Sequence, residues 1–114
     1  METPLGSFAF LICGDLFDEC LTDQVRGLNV DWLLFPFARC FDDGAYDERR
    51  WNREEKVEYA RCAAKTGAVC LMVNYLADKE LDGGSFGGAM IVGRDGSILA
   101  EMPLGKPGLL LVDV

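Results

Sequence analysis

The sequence predicts an α/β fold, α+β in content: a sheet carrying two main helices and ending in a C-terminal β-hairpin. Three observations predict it. Apolar runs at residues 8–12, 32–35 and 69–73 alternate with two segments whose apolar residues recur every three or four positions, which gives strand, helix, strand, helix, strand. The pair Asp95-Gly96, favoured in a two-residue turn, separates two further apolar runs. The three longer runs are apolar at consecutive rather than alternate positions, the pattern of strands covered on both faces.

The first strand, residues 8–12, runs straight into Cys13, Gly14 and Asp15. Leu16, Phe17, Cys20, Leu21, Val25 and Leu28 then recur at helical spacing, with Gly27 and Asn29 as stop residues. A strand that ends in a tight turn before a helix can present one thiol beside backbone N–H groups, whose positive end favours a thiolate or an oxyanion. Cys13 is therefore a candidate nucleophile. On local pattern alone the commoner case for such a cysteine is a buried, inert side chain.

The second strand, Trp32-Leu33-Leu34-Phe35, is expected to stop at Pro36, and a loop is expected over residues 37–50. Asn52 with Glu55 three positions on has the form of a capping box, so a helix is expected over residues 53–65, its small residues lying on the sheet and Gly67 ending it. Residues 68–74 form the third strand, closing on the polar Asn74. After a polar, glycine-rich stretch come the hairpin strands 89–93 and 98–100, and Leu109-Leu110-Leu111-Val112 is expected to make a last short strand. Right-handed crossovers between strands added in one direction place both helices on one face, so the other face needs a cover from a missing part of the protein or another subunit.

At 114 residues the chain has the length of one domain. Half its residues are hydrophobic and its net charge is -8, which argues against disorder and against nucleic acid or an anionic membrane as a partner. There is no histidine, so Ser-His-Asp and Cys-His arrangements cannot be built. The five cysteines contain no C-x-x-C pair, which makes a zinc site and a disulfide framework improbable and fits reduced, cytoplasmic thiols. No metal or cofactor is expected. No apolar run approaches the roughly 20 residues of a membrane span.

The run Ile12-Cys13-Gly14-Asp15-Leu16-Phe17-Asp18-Glu19 resembles the nucleophile segment of the carbon–nitrogen hydrolase (nitrilase/amidase) superfamily: an aliphatic residue, the catalytic cysteine, a variable residue, an acid, and F-P-E shortly after. The strand end at Pro36, the helix of Glu58, Ala60, Arg61 and Ala63, the strand end at Asn74, Phe86-Gly87-Gly88 and the Asp95-Gly96 hairpin follow in family order. The chain is similar to the C-terminal half only, so residues 1–114 are expected to be one partial domain, half of an α-β-β-α sandwich of mixed sheets. The resemblance implies attack of the Cys13 thiolate on an amide or nitrile carbon, with the Gly14 N–H as oxyanion donor and a thioester or thioimidate intermediate. The partners it implies are a small amide or nitrile substrate, the missing N-terminal half and further copies in a homo-oligomer. The family's glutamate base and lysine lie upstream of its cysteine, where this chain has only Glu2 and no lysine. Ala89 replaces a frequent serine, and Asp18 a frequent proline.

Phe37, Ala38 and Arg39 follow a strand end on the Cys13 side and are candidates for a substrate pocket, with a solvated loop as the other reading. Asn74 is a second candidate, able to bind substrate or to satisfy backbone groups at its turn. Residues 83–88 lack the helix and lysine of a phosphate loop, and Asp42, Asp43, Asp47 and Glu48 lack the spacing of a calcium loop.

Overall fold

The computed structural model describes residues 2–39, 48–76 and 86–113. Six strands form one sheet in sequence order: β1 (Glu2–Thr3), β2 (Gly6–Phe10), β3 (Trp32–Phe37), β4 (Val69–Asn74), β5 (Ala89–Val92) and β6 (Ile98–Glu101). The β2–β3 and β3–β4 pairs are parallel and the other three antiparallel, so the sheet is mixed. A 3-10 turn (Cys13–Phe17) and helix α1 (Glu19–Leu28) join β2 to β3. Between β3 and β4, α2 (Glu48–Arg50), a π-helical turn (Trp51–Glu55) and α3 (Lys56–Ala64) run on without a break.

The register explains the core. Leu33, Phe35 and Phe37 of β3 lie level with Cys70, Met72 and Asn74 of β4, and this face packs with Val25 of α1 and Tyr59, Ala60, Cys62 and Ala63 of α3 in one buried cluster. Both helices therefore share a face, as right-handed crossovers require. The opposite face carries Phe10, Leu34 and Leu71 in one row and Pro36 and Val73 in another. Phe10 is 54% and Val73 57% exposed, so an apolar sheet face stands without a cover among the described residues.

The structure departs from the sequence expectations at five places. The first strand sits at Gly6–Phe10 rather than at 8–12, and Glu2–Thr3 adds a short strand to it. Its turn contains Gly6 at φ 120°, where a Cβ would come within 2.6 Å of Asp31 Oδ2. The helix expected from Leu16 is a 3-10 turn followed by α1, because the Asp18 carboxylate caps a fresh start by accepting from Cys20 N at 2.9 Å. Pro36 does not end β3. Leu34 O accepts from Leu11 N on the β2 side, and alternation turns the Pro36 nitrogen to that same side two residues on, past the end of β2, so no sheet bond is lost.

The second helix is already formed at Glu48, ahead of the expected 53, and Asn52 lies inside the π turn instead of capping. Trp51 explains the early start: it is buried against Phe37, Tyr59 and Phe86, and the chain must already be helical to aim it there. Residues 109–112 form no strand. Leu109 and Leu111 are 85% and 84% exposed, and none of the six strands pairs with them, so the run lacks the hydrogen-bond partner that a strand needs.

The sequence candidates Asp42, Asp43 and Asp47, the cysteine Cys40 and residues 83–85 lie outside the described residues. No helix among the described residues is long and apolar enough to cross a membrane.

Candidate active site

The parallel sheet ends β2 beside β3, and the last bond between them runs from Leu11 N to Leu34 O at 3.2 Å. Beyond it the chain must turn. Ile12 is still extended, its N–H donates to the Asp15 carboxylate at 3.1 Å, and Asp15 N donates back to Ile12 O at 3.1 Å. Between them Cys13 takes φ 52°, in the left-handed region that a non-glycine residue enters at a cost of about 1–3 kcal/mol. Leu16, 1% exposed, anchors the turn in the core, and the Phe17 ring meets Tyr59 edge-on with centroids 5.0 Å apart. The turn is thus fixed on both sides of the thiol.

Cys13 is exposed, which removes the reading of it as a buried packing residue. Cys20 is also exposed; Cys62 and Cys70 are buried, and among the described residues no cysteine is disulfide-bonded. Burial pushes the Cys70 thiol up to about 12, and burial together with the neighbouring Glu58 carboxylate raises Cys62. Those two are held as neutral thiols.

Around Cys13 lies a concavity of about 340 Å³. Cys13, Gly14 and Phe17 come from the turn, Phe37, Ala38 and Arg39 from the end of β3, and Glu55 and Tyr59 from the π turn and α3. Five of the six sequence candidates, Cys13, Gly14, Phe37, Ala38 and Arg39, are brought to one place. Asn74 is not among the lining residues. It is buried, its Oδ1 accepts from Arg39 N at 2.8 Å, and its amide nitrogen donates to Arg39 O at 3.4 Å and to Gly87 O at 3.0 Å. Asn74 ties the ends of β3 and β4 to residues 86–88 and so acts on the site through Arg39. Gly88, at φ 94°, lets that stretch pass within 2.6 Å of Leu104 at the position a Cβ would take.

The polar equipment of the concavity is an ion pair between the Arg39 guanidinium and the Glu55 carboxylate, with side chains 29% and 20% exposed. Burial pushes the Tyr59 phenol up to about 12; Arg39 opposes the shift, and Glu55 and Cys13 add to it. Tyr59 is therefore a protonated donor at neutral pH, close enough to feel all three groups. Sequence reasoning did not place Phe17, Glu55 or Tyr59 in the site. The available signal was the spacing of Trp51, Glu55 and Tyr59 at four-residue intervals, one stripe of a helix, with the acid read instead as a cap. Among the described residues no three His, Cys, Asp or Glu side chains gather to hold a metal ion.

No protein-family model and no curated protein matches the sequence. Solved structures do match its fold. Glutamine-dependent NAD+ synthetase from Acinetobacter baumannii superposes with a TM-score of 0.75 at 22% identity, over 95% of this chain and 19% of that one. A variant of the amidase from Nesterenkonia sp. AN1, carrying acrylamide added to its active-site cysteine, gives a TM-score of 0.68 at 22% identity, over 94% of this chain and 38% of that one. Saccharomyces cerevisiae Nit3, a member of branch 10 of the nitrilase superfamily, gives 0.64 at 17% identity, over 88% and 34%. The chain spans 19% to 38% of the length of these proteins. Its mixed sheet with two main helices is thus similar in fold to one part of each of these proteins.

Proposed function

We propose that residues 1–114 are the C-terminal part of a cysteine-dependent hydrolase of non-peptide C–N bonds, acting on a small amide or nitrile. The observation that carries this reading is Cys13: a thiol held at φ 52° at a strand-to-helix turn, on the surface of a concavity shared with Arg39, Glu55 and Tyr59. A backbone held in so restricted a conformation is found where the surroundings aim a reactive group. The amidase with acrylamide on its active-site cysteine supports it by showing what a cysteine does in a protein of this fold.

In this mechanism the Cys13 thiolate attacks the amide or nitrile carbon. The developing negative charge is received by the Gly14 N–H and by a lysine outside this chain, and an amide releases its nitrogen as the amine or ammonia. A glutamate also outside the chain takes the thiol proton and returns it to the departing nitrogen, and water that it then activates cleaves the thioester; for a nitrile a first water turns the thioimidate into that thioester with loss of ammonia before a second water cleaves it. Glu55 shares the cavity and is already paired there with the Arg39 guanidinium. This reading implies the cytoplasm, where thiols stay reduced, and a second sheet of the sandwich to cover the open sheet face.

The test is hydrolysis of short amides and nitriles by the 114-residue chain and by the longest polypeptide encoded in frame with it. The short chain is expected to show no turnover. The longer polypeptide is expected to turn substrate over and to lose at least a thousandfold in kcat in Cys13→Ala, as removal of a nucleophile does. Turnover that survives Cys13→Ala overturns the proposal, and an in-frame product that lacks turnover altogether leaves a non-catalytic binding or oligomerisation module as the better reading.

A further inference from the structure

We propose that the Arg39–Glu55 pair is the specificity element of the Cys13 site, admitting small neutral carboxamides and excluding the corresponding carboxylate anions. The inference rests on the reading of Cys13 as the reacting thiol and adds which ligands reach it. A chain of net charge -8 sets a cation in this concavity, yet ties it to a carboxylate in the same lining. The pair thus offers a donor and an acceptor side by side with no net charge of its own.

A carboxamide matches that arrangement. Its carbonyl oxygen accepts from the guanidinium while its N–H₂ donates to the Glu55 carboxylate, and the pair stays intact. A carboxylate of the same shape has only acceptors. It gains Arg39 at the cost of facing Glu55, and among the described residues the rest of the lining, Phe17, Phe37 and Tyr59 with it, carries no cation to balance a second negative charge.

Both members of the pair are held in place. Asn74 clamps the Arg39 backbone at its N–H and its carbonyl, and Phe86 N donates to Arg39 O at 3.2 Å. Glu55 ends the π turn, closed by Lys56 N–H on Trp51 O, and the Trp51 ring is locked in the aromatic cluster. Irregular turns of this kind inside helices recur at functional sites. With each side chain less than a third exposed, the charges are screened less than a surface pair would be.

The test compares two alkylating agents that differ only in this group, iodoacetamide and iodoacetate. Rates at Cys13 and Cys20 are read separately by peptide mass spectrometry on the whole chain. Glu55→Gln leaves the cation and is expected to lower the amide-to-acid rate ratio at Cys13 about fivefold. Arg39→Gln leaves the anion and is expected to raise it by about the same factor. The double variant is expected to return within about twofold of the parent, and the ratio at Cys20 is expected to stay constant throughout. A merely structural pair would move both single variants in the same direction; that result, or no movement in either, overturns the proposal. Failure of the underlying reading looks different: Cys13 then reacts with iodoacetamide no faster than Cys20, whatever the ratios do.

Discussion

Cys13 keeps its left-handed backbone because its neighbours impose it. The Asp15 carboxylate accepts from Ile12 N–H, Leu16 is sunk in the core, and Phe17 rests edge-on against Tyr59. Asp15 is therefore a positioning residue for the thiol. Asp15→Ala is expected to cost about 1 kcal/mol in urea unfolding, the usual cost of losing a capping acceptor, and to slow iodoacetamide reaction at Cys13 while leaving Cys20 unchanged. At this scale the sequence was informative where chemistry is written locally. An apolar run broken by Cys13, Gly14 and Asp15 announces its own turn, and Phe37 and Arg39 follow a strand end on the same side. Glu55 and Tyr59 were hidden because they reach the site only once a second helix is laid across the sheet, and Asn74 was half legible, its polarity visible but its attachment to Arg39 not.

Among the elements, the apolar strands and amphipathic helices were legible because periodicity alone determines them, whereas their ends depend on tertiary partners. Trp51 draws the second helix back to Glu48, a free edge lets Pro36 stay within β3, and residues 109–112 form no strand because none of the six strands pairs with them. Asp31, just ahead of β3, is a titratable tie within the sheet. Asp31 accepts from Ser7 N at 2.9 Å and Ser7 Oγ at 3.2 Å, and faces Arg94 at 3.7 Å, so it links β2 to the start of β3 and to the β5–β6 turn. The Ser7 N–H, then the Ser7 hydroxyl and Arg94, hold its carboxyl below the usual range against an opposing burial effect. A carboxyl depressed in the folded state stabilises the fold above its unfolded value, roughly 3.9, and that contribution fades as pH falls through the folded value. Asp31→Asn is therefore expected to lower Tm at pH 7, with the gap to the parent closing below about pH 4. A gap independent of pH would remove the charge from this account.

For the whole molecule, apolar surface is divided unevenly between the two faces of the sheet. One sheet face is buried under α1 and α3, and the other presents Phe10, Leu34, Leu71 and Val73 without a cover among the described residues. An uncovered apolar sheet face is the kind of surface that marks an interface, and the chain spans 19% to 38% of the proteins to which it is similar in fold. The proposed mechanism divides in the same way: the thiol and a polar pair lie in residues 1–114, and its base and oxyanion lysine are assigned outside them. The central claim is that Cys13 is the reactive position of half an active site, and a thiol so placed reacts with a small electrophile even before its helpers arrive. The most direct measurement is the rate of acrylamide addition at Cys13 and Cys20 within one chain at neutral pH, read by peptide mass spectrometry. The account predicts addition at Cys13 about tenfold or more faster than at Cys20, with Cys62 and Cys70 unmodified. Equal rates at the two exposed thiols would contradict it.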